Sequence, residues 1–283
     1  MTARDARGPD GRQSVWRVGD IEIIAVTDGV LPTDTGKAMG IDDVACEALS
    51  GRRRGESFDI CVNQYVVRVA GRTLLIDAGA SARRYPGVGL LPENLRRVGA
   101  PPESIDAVLL THLHSDHMHG LIDEAGAAVF PNAELILHEK EAAFWLDRAP
   151  TGASGFDRNL PAAEQNTRPY RDRLRLTCGG EVAPGVSAHL CAGHTPGHTA
   201  WRIEAGGRQA IMWGDVVHFE ALQIARPDVA VVYDMDPDEA ARARRRVFEM
   251  CVDEDFLVLG AHLTTPGVGR LERCGAGFRF LPA

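Results

Sequence analysis

The chain has 283 residues, 45% of them hydrophobic and 25% charged, a balance that excludes wholesale disorder and fibrous repeats. Its formal net charge of −8, from 31 Lys and Arg against 39 Asp and Glu, argues against a general nucleic-acid binder, whose affinity would come from neutralising phosphates. Six cysteines without a C-x-x-C pair exclude a disulfide framework and a zinc ribbon, and no apolar run is long enough to span a membrane.

Residues 1–14 carry charge but no apolar stretch of the kind a signal peptide needs, so disorder there and a cytoplasmic location are expected. Residues 15–283 are read as a single domain. Val15–Val18 and Ile21–Val26 are expected to form a hairpin about the Gly19-Asp20 turn. A polar stretch rich in Gly and Arg follows from about Thr33 to Ser57, and strands Val62–Val69 and Thr73–Ile76 meet at Ala70-Gly71. A short helix over Pro92–Val98 precedes a buried strand, Ile105–Leu110. Leu135–His138 then leads into a helix over Lys140–Leu146. The segment 147–172, rich in Gly, Pro, Asn and Arg, is long for a passive connection and is a candidate lid.

Strands return at Val186–Leu190, Ala200–Glu204, Gln209–Trp213 and Phe256–Leu259, interrupted by a helix from Pro237 to about Cys251. Asp236 suits its N-cap, and Glu239 three residues on completes a capping-box pattern. The arginine runs, Arg52-Arg53-Arg54 and Arg242 with Arg244-Arg245-Arg246, read as solvated charged faces, and the cysteines as buried free thiols.

The decisive segment is Thr111-His112-Leu113-His114-Ser115-Asp116-His117-Met118-His119-Gly120, placed directly after an apolar strand. Extended backbone past Leu110 would set His112, His114 and Asp116 on one side, with His117 pointing elsewhere. Two imidazoles for one cation and an Asp-His pair for a neighbour is the donor set of a divided metal site. Surface histidines in a polar loop are the competing explanation. Three more metal-ligand residue types stand just beyond strands, which weighs against it: His194 in Gly193-His194-Thr195-Pro196-Gly197-His198, Asp215 after Gly214, and His262 after Gly260-Ala261. His194 leaves its strand directly and is preferred to His198 as a donor.

Together, H-x-H-x-D-H, G-H-T-P-G-H, G-D and a late A-H resemble the metallo-β-lactamase superfamily over roughly residues 15–280. The resemblance implies an α/β fold, an αββα sandwich of two mixed sheets flanked by helices. It implies His112, His114 and His194 on one ion, Asp116, His117 and His262 on a second, and Asp215 bridging them. Trp213-Gly214-Asp215-Val216-Val217-His218, Phe130-Pro131-Asn132-Ala133 and Phe144-Trp145-Leu146 are similar to the methyl parathion hydrolase branch, itself similar to N-acyl homoserine lactonases. No cysteine fills the ligand slot of the commonest zinc β-lactamases. His119 stands where a glycine is common, and His218 where some lactonases have a tyrosine.

The function so implied is hydrolysis of a small-molecule ester by a metal-bridging hydroxide, with a lactone as first substrate and a phosphotriester second. Asp116, Asp215 and His218 are the catalytic candidates. Trp145, Phe156 and Met118 are expected to line an apolar substrate cleft. Zinc is the expected ion, with cobalt, manganese or iron as alternatives, and a homodimer is plausible by resemblance, with neither nucleic acid nor membrane as partner. A glyoxalase II-like thioesterase shares the seven-donor plan, whereas a mononuclear iron persulfide dioxygenase would leave donors unused.

Overall fold

The computed structural model describes residues 15–147 and 159–283, so the expectation of disorder over 1–14 lies outside the described residues. In chain order the first half supplies β1 (Val15–Val18), β2 (Ile21–Asp34), β3 (Ala38–Met39), helix α1 (Asp43–Ser50), β4 (Ser57–Val69), β5 (Arg72–Ile76), α2 (Leu91–Arg97), β6 (Ala107–Leu109) and α3 (Ser115–Met118). β7 (Glu134–His138), α4 (Glu139–Trp145), α5 (Leu160–Thr167) and β8 (Leu174–Thr177) complete it. The second half contributes β9 (Gly180–Ala183), β10 (Val186–Leu190), β11 (Thr199–Ala205), β12 (Arg208–Met212), α6 (Glu220–Gln223), β13 (Ala230–Val231), α7 (Pro237–Asp253), β14 (Leu257–Leu259), β15 (Val268–Cys274) and β16 (Gly277–Pro282).

Among the described residues these strands form two seven-stranded sheets, ordered β1-β2-β4-β5-β6-β7-β8 and β16-β15-β14-β12-β11-β10-β9, plus the small pair β13-β3. Both large sheets are mixed. β1 to β5 run antiparallel and β5 to β8 parallel, while in the second sheet the β12–β14 pair alone is parallel.

The period-two alternation of strand side chains sorts the core into layers. Ile23, Tyr65, Val67, Leu74 and Ile76 of the first sheet meet Trp201, Ile203, Ala210 and Met212 of the second in one central cluster. The intervening residues Ile24, Val66 and Leu75 face outward, where α2, α4 and α5 cover them with Leu91, Leu95, Ala142 and Ala163. On the far side Ile211 and Val258 pack beneath Val247, Phe248 and Cys251 of α7. Helix, sheet, sheet, helix is the αββα order.

The polar stretch before Ser57 is more structured than its composition suggests. β2 continues through a bulge at Thr27/Gly29 to Asp34, pairing with β4 as far as Ser57, and α1 starts behind an Asp42 cap that accepts the Ala45 N–H. The hairpin β15-β16 and strands β8 and β9 also lack a sequence expectation, and α5 occupies part of the candidate lid. Asp236 does cap α7 through the Glu239 N–H, but Glu239 turns its carboxylate to Arg242 and Arg246 rather than closing the capping box. Arg244 is not on a solvated face: it is buried, donating to the carbonyls of Val216, Pro227 and Val229. Cys178 and Cys274 are exposed, contrary to the buried reading, and all six thiols are free.

Candidate metal centre

The candidate donors arrive from strand ends of both sheets: His112 and His114 beyond β6, His194 beyond β10, Asp215 beyond β12 and His262 beyond β14. Asp116 does not continue an extended strand as expected, since the chain has already turned: it lies with His117 in the helical turn α3. That turn swings Asp116 away from His112 and His114 and gives it to a different group. Potential ligand atoms of His112, His114, His194 and Asp215 lie within 4.8 Å of one another, and so do those of Asp116, His117 and His262.

Asp215 stands between the two groups. Its Oδ2 is 3.4 Å from His112 Nε2 and 3.0 Å from His194 Nε2; its Oδ1 is 2.9 Å from His117 Nε2 and 3.1 Å from His262 Nε2. Asp116 Oδ2 lies 3.6 Å from His117 Nε2 and 3.4 Å from His262 Nε2. His218 joins the centre as well, with Nε2 2.9 Å from Asp215 Oδ2 and its ring stacked on His262.

Among the described residues, the buried Nε2 atoms of His112, His117 and His262 and Oδ1 of Asp215 make no hydrogen bond. A buried polar atom left so costs about 1–3 kcal/mol, and several converging on one carboxylate form a nest that a cation would repay. Imidazole nitrogen and carboxylate oxygen suit zinc and neighbouring first-row ions. On this donor chemistry the residues fit a metal, and the His/Asp cluster is a metal-binding cluster.

Four of the five candidate imidazoles are oriented from behind, by residues that the sequence reading missed. His117 Nδ1 is 2.7 Å from Asp77 Oδ2, His194 Nδ1 is 2.8 Å from Asp234 Oδ1, His262 Nδ1 reaches the Cys61 carbonyl at 2.8 Å, and His112 Nδ1 lies 3.0 Å from Thr111 Oγ1. Donation of each Nδ1 proton leaves the Nε2 lone pair facing the centre. Asp77 also accepts from the Thr111 N–H and hydroxyl. The apolar strand ending in Asp77-Ala78-Gly79 was its one available signal. His198 has both nitrogens engaged, Nδ1 with the Cys191 carbonyl at 3.1 Å and Nε2 with the Asp215 N–H at 3.0 Å, so it holds the Asp215 backbone in place.

Charges follow this packing. Burial resists ionisation of Asp215, but the imidazoles of His117, His218, His262 and His112 outweigh it and hold the carboxyl well below the usual range. Burial likewise works against a charged His194, yet Asp215 and Asp234 lift it to about 9. His198, with burial dominant, falls to about 3.

The expected apolar cleft is corrected at two positions. Trp145 and Met118 are each 1% exposed, inside the core under the first sheet. Trp145 gives its indole N–H to Glu141 Oε1 and meets His114 only with a ring edge. Glu141 in turn ties Leu113, Thr195 and Gly197 together, which locks the two histidine loops to each other. Phe156 lies outside the described residues.

An αββα sandwich with this centre at its strand ends defines a class. Residues 61–262 match the family model of the metallo-beta-lactamase superfamily, and the chain belongs to that superfamily. It is similar to the exodeoxyribonuclease WalJ of Streptococcus pneumoniae, 36% identical over 59 residues that make up 21% of this chain and 20% of that protein. It is similar also to the N-acyl homoserine lactonase AiiB of Agrobacterium fabrum, 33% identical over 112 residues, which is 33% of this chain and 38% of AiiB. The chain thus spans about two fifths or less of the length of these curated relatives. Among solved structures the hydrolase AbOPH superposes with a TM-score of 0.89 at 27% identity, over 96% of this chain and 97% of that one.

Proposed function

We propose that this chain is a dinuclear metal-dependent hydrolase of ester bonds, a lactonase in the first place, with phosphotriesters as a second substrate class. His112, His114 and His194 would hold one cation, Asp116, His117 and His262 the other, and Asp215 both. The observation that carries the reading is the two-faced carboxylate of Asp215, one oxygen toward each histidine group. Bound divalent ions, zinc being the expected pair, supply a Lewis acid for a carbonyl or phosphoryl oxygen and hydroxide at neutral pH.

The chain's own residues supply orientation and proton handling. Asp77, Asp234, Thr111 and the Cys61 carbonyl fix the ring tautomers. Asp116, the more open of the two carboxylates at the centre, moves the proton released or taken up at Oδ2. His218, anchored between Asp215 and His262, is placed to orient the substrate's reacting carbonyl or phosphoryl group. The partial likeness to AiiB supports a lactone over other esters. The net charge of −8 weighs against a nucleic-acid substrate, despite the short likeness to WalJ.

The test combines elemental analysis of zinc-loaded protein with turnover of an N-acyl homoserine lactone, a phosphotriester, a thioester and single-stranded DNA. Two ions per chain and preferred lactone opening, with solvent oxygen entering the new carboxylate, are expected. A firm value of one ion per chain sinks the dinuclear plan. DNA cleavage without lactone opening sinks the lactonase.

A further inference from the structure

A cavity of about 290 Å³ opens between the turn at Ser81–Arg84, His119 and α5. Among the described residues its lining brings together Ser81, Arg83, Arg84, His119, Gln165 and Asn166, and no carboxylate. His119 is only 7% exposed, and among the described residues its ring makes no hydrogen bond. A buried imidazole normally has a partner, and this one faces the cavity instead. Arg84 likewise has no side-chain hydrogen bond or ion pair among the described residues. The Arg83 guanidinium is held at the rim by the carbonyls of Glu124 and Asp123, at 3.3 and 3.1 Å, neither of which cancels its charge. Asn166 is fixed by its Nδ2 contact to the Ala162 carbonyl at 2.7 Å. Among the described residues the carboxylate that acts on His119 is Asp116, a member of the candidate metal centre.

Two guanidinium charges, a buried imidazole and two amides, with no acid beside them among the described residues, are the donor set that an oxyanion needs. We propose that this cavity is an anion subsite, taking a carboxylate or phosphate group. His119 places it beside the metal centre, two residues after His117. The group is carried by the substrate, which narrows the substrate class to esters with an acidic substituent, or it is a free anion. The substrate arm rests on the hydrolase reading above; anion binding itself does not.

Metal-loaded protein is titrated with inorganic phosphate while the His119 ring resonance, assigned from its loss in His119→Gln, is followed by NMR. A saturable shift is expected, weakened about tenfold or more in Arg84→Gln, the loss of one charge-assisted contact. The exposed control Arg242→Gln should leave it unchanged. No saturable shift, or the same affinity in Arg84→Gln, overturns the proposal. So does phosphate that moves only the His112 and His194 resonances.

A second arm compares hydrolysis of 4-nitrophenyl butyrate with that of the 4-nitrophenyl monoester of succinic acid. A preference for the acidic ester that falls in Arg84→Gln identifies the anion as part of the substrate. An unchanged preference beside Arg84-dependent phosphate binding identifies a free anion. Phosphate binding at His119 in a protein inactive on every ester would sink the hydrolase reading and uphold the subsite.

Discussion

An imidazole has two nitrogens, and the partner of one decides what the other can do. At His117 that partner is the buried Asp77, which also receives two hydrogen bonds from Thr111. Asp77→Asn keeps the shape but loses the carboxylate's hold on the tautomer. We expect metal affinity to fall about 10–100-fold with the fold intact, as read by chelator competition beside circular dichroism. His194 gives a pH dependence. Without metal its proton is held up to about 9 by Asp215 and Asp234 against the cost of burial. A raised value means that the proton is present below that pH and must leave when metal enters. Apparent affinity should therefore climb about tenfold per pH unit for this proton and level off near 9, as metal-buffered titrations would measure. Affinity independent of pH would remove His194 from the donor set.

Loops that present the donors are held by close backbone contact as much as by side chains. Gly193, at φ 131°, leads into His194 where a Cβ would lie 2.2 Å from the Ala240 nitrogen in α7. Gly193→Ala must therefore push the loop off the helix, at about 1–3 kcal/mol or more, with metal lost in parallel. Thermal unfolding and elemental analysis of one preparation check this, and a stable variant with full metal content contradicts it. The strands bearing these loops were legible in the sequence because Val, Ile and Leu runs such as Ile105–Leu110 and Leu257–Leu259 are bounded by polar residues. Histidines at period two and the Gly-His and Gly-Asp steps marked the candidate donors, which the structure brings together. β2 past Val26 was not legible, since Gly29 and Pro32 read as breakers whereas a bulge absorbs the irregularity. α1 was hidden in a stretch whose Gly and Arg residues suggest a loop, and β16 ends in exposed Leu281 and Pro282 without a buried period. Asp77 and Asp234 escaped because a lone aspartate has no spacing to betray what it orients. Trp145 and Met118 were misplaced because sequence does not tell an apolar core from an apolar cleft.

The two sheets are clasped at the centre. Asn63 Nδ2 of β4 reaches the carbonyls of Gly260 and Leu263 at 3.2 and 2.8 Å, and Tyr65 Oη meets that of Gly260 at 3.1 Å, just before His262. Cations held between the sheets should therefore stabilise the whole molecule. A hundredfold excess of metal over Kd is worth about 2.7 kcal/mol per ion, or roughly 4–5 °C in Tm each for a chain of this size. Calorimetry with and without chelator should show that shift, and an unchanged Tm would place the ions outside the folding equilibrium. The Cys178-Gly179 turn, which carries the chain from β8 in one sheet to β9 in the other, divides the donors with it. His112, His114, Asp116 and His117 lie before it, and His194, Asp215 and His262 after it, so each half holds an incomplete share of both donor groups. Cut there, the protein becomes a two-part lock: neither fragment should retain metal tightly alone, and their reassembly should be metal-promoted, which makes zinc uptake a direct reporter of whether the halves have met.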